Sequence, residues 1–140
     1  MELKQSTAVV IPFGPFTSPS DGVTLVSTLV SALDHASTGI MLSKNGGAKA
    51  VRHATVTTTV YDAGDYRVTL DTTDTNTLGS LRVSFYAAGT NTPVWQDFNV
   101  ITANVWDSKY GTDKLWVDVR AINNVDGPTS GNGSSTPFDF

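Results

Sequence analysis

The sequence predicts an all-β protein, a two-sheet sandwich of about seven strands. Three observations predict it. The first is composition. Thr and Ser are abundant, as in the run Thr55-Val56-Thr57-Thr58-Thr59, and Glu2 is the only Glu among 13 acidic residues. Helices favour Glu, Lys and Ala, whereas strands and turns favour Thr, Val, Asp, Asn and Gly. The second is the period-two alternation of apolar and polar residues in short runs bounded by turn residues. The third is Asp62-Ala63-Gly64-Asp65-Tyr66, the Asp-x-Gly-x-Tyr form of a tyrosine corner, in which a Tyr hydroxyl bonds back to the backbone. That signal makes the predicted sandwich immunoglobulin-like. The 140 residues suffice for a single core, since a domain of about 150 residues buries roughly 70% of its unfolded surface.

Taken in order, Ala8-Val9-Val10-Ile11 is a short apolar strand. Pro12-Phe13-Gly14-Pro15-Phe16 follows, and its prolines block regular pairing, which fits an edge strand or an extended arm. Residues 1–16 therefore read as an N-terminal strand and extended arm, removable without unfolding the domain. Thr17 to Gly22 is a loop. The β-branched content of residues 23–33 favours a strand, with a helical turn near Ser31–His35. Ile40–Ser43 and Ala48–Val51 flank Lys44-Asn45-Gly46-Gly47, and Asn-Gly between strand-like runs is the strongest local hairpin signal. Thr55–Tyr61 is a further strand. Tyr66–Leu70 places Tyr66, Val68 and Leu70 on one face. Asp71–Asn76 is a polar loop. Leu81–Phe85 and Val94–Val100 complete the set, the latter with Val94, Gln96, Phe98 and Val100 on one face and Trp95 on the other.

The sandwich thus occupies 17–101. Residues 102–126 form an aromatic C-terminal segment that either covers an edge of the sandwich or contacts a neighbour. Residues 127–140 are a flexible Gly/Ser/Pro tail ending in Phe138-Asp139-Phe140.

Several function classes fall away. There is no Cys, hence no disulfide framework or thiolate chemistry, and two His exclude a three-His metal site within one chain. A net charge of −4 disfavours binding nucleic acid through its phosphates. No apolar run reaches the ~18 residues of a membrane span, and the N-terminus lacks a signal-peptide pattern. His35 adjoins Asp34, but no Gly-x-Ser-x-Gly elbow accompanies them. Asp71, Asp74 and Asn76 cluster oxygen ligands without EF-hand spacing, so the turn reading outweighs calcium. No pair among the many Asp residues has glycosidase-like spacing. No catalytic residue, metal or cofactor is expected.

What remains is surface chemistry. Trp and Tyr are favoured interface anchors. The candidate partner-contact residues are Phe13, Phe16, Trp106, Tyr110, Trp116, Phe138 and Phe140. Trp95 shares a strand face with Asp97 and Asn99, an arrangement that suits a carbohydrate- or receptor-binding platform.

A set of motifs also carries a resemblance. It comprises Leu3-Lys4-Gln5-Ser6-Thr7-Ala8, Phe13-Gly14-Pro15-Phe16, Asp21-Gly22-Val23-Thr24, Leu42-Ser43-Lys44-Asn45-Gly46-Gly47 and Leu70-Asp71-Thr72-Thr73-Asp74-Thr75. Leu78-Gly79, Pro93-Val94-Trp95 and Val105-Trp106-Asp107-Ser108 continue it. From Leu3 to about Val119 the chain resembles small virion-associated structural proteins of tailed bacteriophages and prophages. The resemblance implies a non-enzymatic component of the virion, present in the host cytoplasm during assembly. Its partners would be other phage structural proteins and copies of itself, with no nucleic acid and no membrane. It would dock at the tail or head–tail connector, in a collar or fibre-anchoring role, or else decorate the capsid as a cement protein. Members often read acidic-Gly-Tyr-Tyr where this chain has Ala63-Gly64-Asp65-Tyr66, and often continue into longer C-terminal regions.

Overall fold

The computed structural model describes residues 1–54, 57–112, 114, 121–122 and 125–126. Two sheets face each other. The larger holds β1 (Glu2–Lys4), β8 (Val94–Ile101), β7 (Gly79–Phe85), β3 (Met41–Lys44) and β4 (Ala50–Val51), in that spatial order. The smaller holds β2 (Val9–Phe13), β6 (Asp65–Leu70) and β5 (Thr59–Asp62). All pairings within them are antiparallel except β1 with β8, which is parallel. The chain crosses between the sheets at β1–β2, β2–β3, β4–β5 and β6–β7, and the first strand runs parallel to the eighth. This is an all-β, immunoglobulin-like sandwich. A separate antiparallel pair joins β9 (Ala121–Ile122) to β10 (Val125–Asp126).

Alternation builds the core. Tyr66, Val68 and Leu70 of β6, Leu81, Val83 and Phe85 of β7, and Phe98 and Val100 of β8 all turn inward and are buried. Between the sheets, Phe16 meets Phe13, Tyr66 and Phe85 edge-on at centroid separations of 5.3, 5.4 and 5.9 Å. Such pairs each add about 0.5–1.5 kcal/mol beyond the area they bury. The predicted hairpin forms at Asn45-Gly46. Both residues have positive φ (52° and 73°), and the Gly47 N–H donates to the Lys44 carbonyl at 2.9 Å.

Three sequence expectations are corrected, and one helix is new. Residues 1–16 are not an arm. β2 pairs along its whole length with β6, from Val9 opposite Leu70 to Phe13 opposite Tyr66. Pro12 is tolerated because β2 is an edge strand, where a missing donor breaks no second ladder. The strand expected over 23–33 is absent. Residues 26–29 carry no regular structure and α1 (Val30–Leu33) follows, overlapping the helical turn expected near Ser31–His35; Leu29 at its N-cap and Leu33 four residues on are both buried. The segment after Ile101 begins with a helix, α2 (Ala103–Tyr110), whose N-cap is Thr102; its side-chain oxygen accepts from the Val105 N–H at 3.4 Å. Finally, Tyr66 is not the corner of the usual immunoglobulin pattern. Its hydroxyl donates not to nearby upstream backbone but to the Val26 carbonyl at 2.6 Å, and accepts from the Leu29 N–H at 3.2 Å. It ties the irregular 26–29 segment to β6.

Candidate functional site

The residues expected to meet partners fall in three groups. Phe13 (1% exposed) and Phe16 (0%) are core residues: inward alternation on β2 buries Phe13, and the chain continues beside β6, with the Phe16 N–H donating to the Gly64 carbonyl at 2.9 Å and the Phe16 ring between the sheets. Trp106 and Tyr110 sit one helical turn apart on α2, with ring centroids 5.1 Å apart, Trp106 half-buried and Tyr110 exposed. Trp116, Phe138 and Phe140, with the predicted 127–140 tail, lie outside the described residues.

The α2 aromatics belong to a docking seam against β1. Lys4 donates to Asp107 at 2.8 Å and lies 5.7 Å from the Trp106 ring centre. Glu2 accepts from Lys109 at 2.8 Å and from the Tyr110 hydroxyl at 2.8 Å. The Lys109 and Tyr110 hydrogen bonds hold the Glu2 carboxyl below its ordinary range. α2 buries none of its residues fully. It is held by the part-buried Lys4–Asp107 pair, the half-buried Trp106 and exposed polar contacts that are each worth little, and it covers the outer edge of the parallel β1–β8 pair.

The two His and the Asp-rich loop do structural work. Nδ1 of His35 accepts from the Thr38 N–H at 3.2 Å in a tight turn. Asp71 Oδ1 accepts from the Thr73 and Asp74 N–H groups, while its Oδ2 pairs with His53. Asp74 accepts from the N–H groups of His53, Ala54 and Asp71. The oxygens of Asp71 and Asp74 are spent on backbone donors and on the His53 ring. Thr75, fully buried, exchanges hydrogen bonds with the Thr7 backbone, and Lys44 reaches the Thr73 carbonyl at 2.9 Å. The loop is a hub joining the N-terminal segment, β3 and residues 53–54. Beside it, the buried Arg52 guanidinium pairs with Asp34 and donates to the Thr69 carbonyl (2.8 Å) and Thr58 hydroxyl (2.8 Å). Burial pulls the Arg52 pKa down, against the opposing pull of Asp34 and Asp74.

The outer face of the five-stranded sheet is different. Cross-strand register sets Asp97 opposite Arg82 and Trp95 opposite Ser84, with Met41 opposite Ser84 on its other side. Trp95 points outward and is 57% exposed. Asp97 is not available as a free acceptor, since Arg82 grips it through Nε at 2.7 Å and Nη2 at 2.9 Å. That grip lowers the Asp97 pKa and raises that of Arg82. Tyr86, Lys49, Met41, Ser84 and Arg82 join Trp95 around a cleft of about 230 Å³. Sequence reasoning found Trp95 through strand alternation but missed Tyr86, Lys49 and Met41, which come from other strands and loops.

The chain matches no protein-family model, and no curated protein matches it significantly. Among solved structures it is similar to the twitchin kinase region from C. elegans (Fn31-NL-kin-CRD-Ig26), with 9% identity and a TM-score of 0.32 over 73% of this chain and 14% of that one. No helix among the described residues is long and apolar enough to cross a membrane.

Proposed function

We propose that the chain is a non-enzymatic structural protein of a tailed-phage virion, docking at the tail or head–tail connector in a collar or fibre-anchoring role. One observation carries the reading beyond the sequence resemblance. Large apolar side chains stand exposed on three separate faces: Val10 and Tyr61 outside the three-stranded sheet, Tyr86 and Trp95 outside the five-stranded one, and Tyr110 on α2. Aromatic side chains of this kind are the favoured anchors of protein contacts, and their presence on several faces suits a subunit with several neighbours. The resemblance motifs support the same reading. Leu42–Gly47 forms the β3–β4 turn, Leu70–Thr75 the loop hub and Phe13–Phe16 the core, so they specify a scaffold. The partners on this reading are other virion proteins and further copies of this chain.

Immunogold labelling of intact virions tests it. Label at one vertex or along the tail is the expected result. Label spread evenly over the head would replace the reading with that of a capsid cement protein. Absence of label from particles of an expressing phage would remove the exposed virion role.

A further inference from the structure

Independently of where the protein resides, we infer that the cleft beside Trp95 binds one acidic sugar residue of a glycan. Three features point to that class of ligand. The cleft is open and small, below the roughly 300 Å³ at which pockets for larger organic ligands begin, so it admits about one ring. Its apolar wall is aromatic and exposed: Trp95 at 57% and Tyr86 at 60%. The negative face of an indole attracts the polarised C–H face of a pyranose. The third feature is charge. The cleft is lined by two cations and no carboxylate, in a chain of net charge −4.

Neither cation is fully committed elsewhere. Among the described residues Lys49 makes no ion pair, and Arg82 binds Asp97 through Nε and Nη2 and stands 6.0 Å over the Trp95 ring centre, while its Nη1 makes no hydrogen bond. Asp97 opens instead onto a neighbouring depression with Ser43 and Gly46. The sugar ring would stack on Trp95 beside the Arg82 guanidinium, its carboxylate would pair with Lys49 and Arg82 Nη1, and the Ser84 hydroxyl in the lining would meet a ring hydroxyl. Charge-assisted hydrogen bonds of this kind are about twice as strong as neutral ones. They favour a uronic or sialic acid over a neutral hexose.

The full chain should be screened on an array holding sialylated, uronic-acid-bearing and neutral glycans, with polyglutamate as an acidic peptide control. The expected result is binding to at least one acidic glycan and not to its neutral counterpart. Titration calorimetry with the free acidic oligosaccharide should then show affinity falling at least about tenfold in both Lys49→Gln and Trp95→Ala. Both side chains are exposed, so thermal midpoints should match the parent and separate lost binding from lost folding. The inference is overturned if no acidic glycan binds, if neutral glycans or polyglutamate bind equally well, or if both variants bind like the parent. The virion reading survives any of these results, because it rests on labelling of particles.

Discussion

Tyr66 is the residue whose chemistry is easiest to isolate. Its ring belongs to the aromatic core and its hydroxyl satisfies two backbone groups, the Val26 carbonyl and the Leu29 N–H. Tyr66→Phe keeps the ring and orphans both partners, so it should lower stability by about 1–3 kcal/mol. An unchanged urea midpoint would show that water replaces the hydroxyl. The Arg52–Asp34 pair predicts a larger effect. Removing one partner of a buried pair strands the other, typically at about 3–5 kcal/mol. Asp34→Ala should therefore destabilise strongly, and adding Arg52→Met should restore part of the loss; equal stability of the single and double variants would refute the stranded-charge account. His53 and Asp71 predict a pH effect. The Asp71 hydrogen bond and charge raise the His53 pKa above its ordinary 6.5. Burial alone would raise Asp71, but the His53 hydrogen bond and backbone donors leave it below its ordinary value. A raised histidine pKa stabilises fully below the unfolded value and is lost as pH rises through the folded one. A depressed carboxyl pKa stabilises above its unfolded value and is lost on acidification. The pair is thus strongest between about pH 4 and about pH 6.5. The Tm gap between the parent and His53→Gln should be wider at about pH 5.5 than at about pH 8.5; a constant gap would show that the pair carries no linkage.

At the scale of elements, the sequence was most legible where one local rule acts alone. Alternation located β6, β7 and β8 and their inward faces, and Asn45-Gly46 located the hairpin. It misled where two rules compete. In residues 23–33, β-branched content opposed the Leu29/Leu33 spacing, and α1 forms with both leucines buried. Thr102 was a readable N-cap, yet α2 has no apolar face to announce it, since its hold on β1 is largely ionic. Pro12 and Pro15 left an edge strand and an extended arm both open, because prolines oppose regular pairing, and the edge position of β2 in the assembled sheet decides for the strand. The prediction for residues 1–16 changes accordingly. They supply Leu3, Ile11, Phe13 and Phe16 to the core. Each such truncation costs on the order of 2–5 kcal/mol, and a whole domain has only about 5–15 kcal/mol. A chain lacking residues 1–16 should be unfolded, with no cooperative thermal transition by circular dichroism. A folded truncation product would reinstate the arm. The cleft by Trp95 was half legible for a related reason. Alternation says which way a strand residue points, but Lys49 and Tyr86 reach that face only through inter-strand register and loop paths.

At the scale of the molecule, the topology orders the assembly of the strands. β7 and β8 follow one another and pair over seven residues, Gly79–Phe85 with Val94–Val100, so their hairpin closes a short loop. β1 spans three residues and pairs with the far end of β8, Glu2 opposite Asn99, so its docking closes a loop of nearly the whole sandwich. Loop-closure entropy must be met before distant contacts reward it, and all-β folds of this kind refold over roughly milliseconds to seconds. β1 should therefore dock after the rate-limiting barrier, while the β7–β8 hairpin forms on or before it. Two core truncations separate these roles. Leu3 and Phe98 are both buried, so Leu3→Ala and Phe98→Ala should each destabilise by about 2–5 kcal/mol. The loss should divide differently between the rates. Leu3→Ala should speed unfolding and change refolding by less than about twofold, whereas Phe98→Ala should slow refolding markedly. Stopped-flow fluorescence across a urea series reads both limbs. Slowed refolding in Leu3→Ala would place the parallel β1–β8 pair in the nucleus, and the sandwich would then close from its chain ends rather than from its central hairpin.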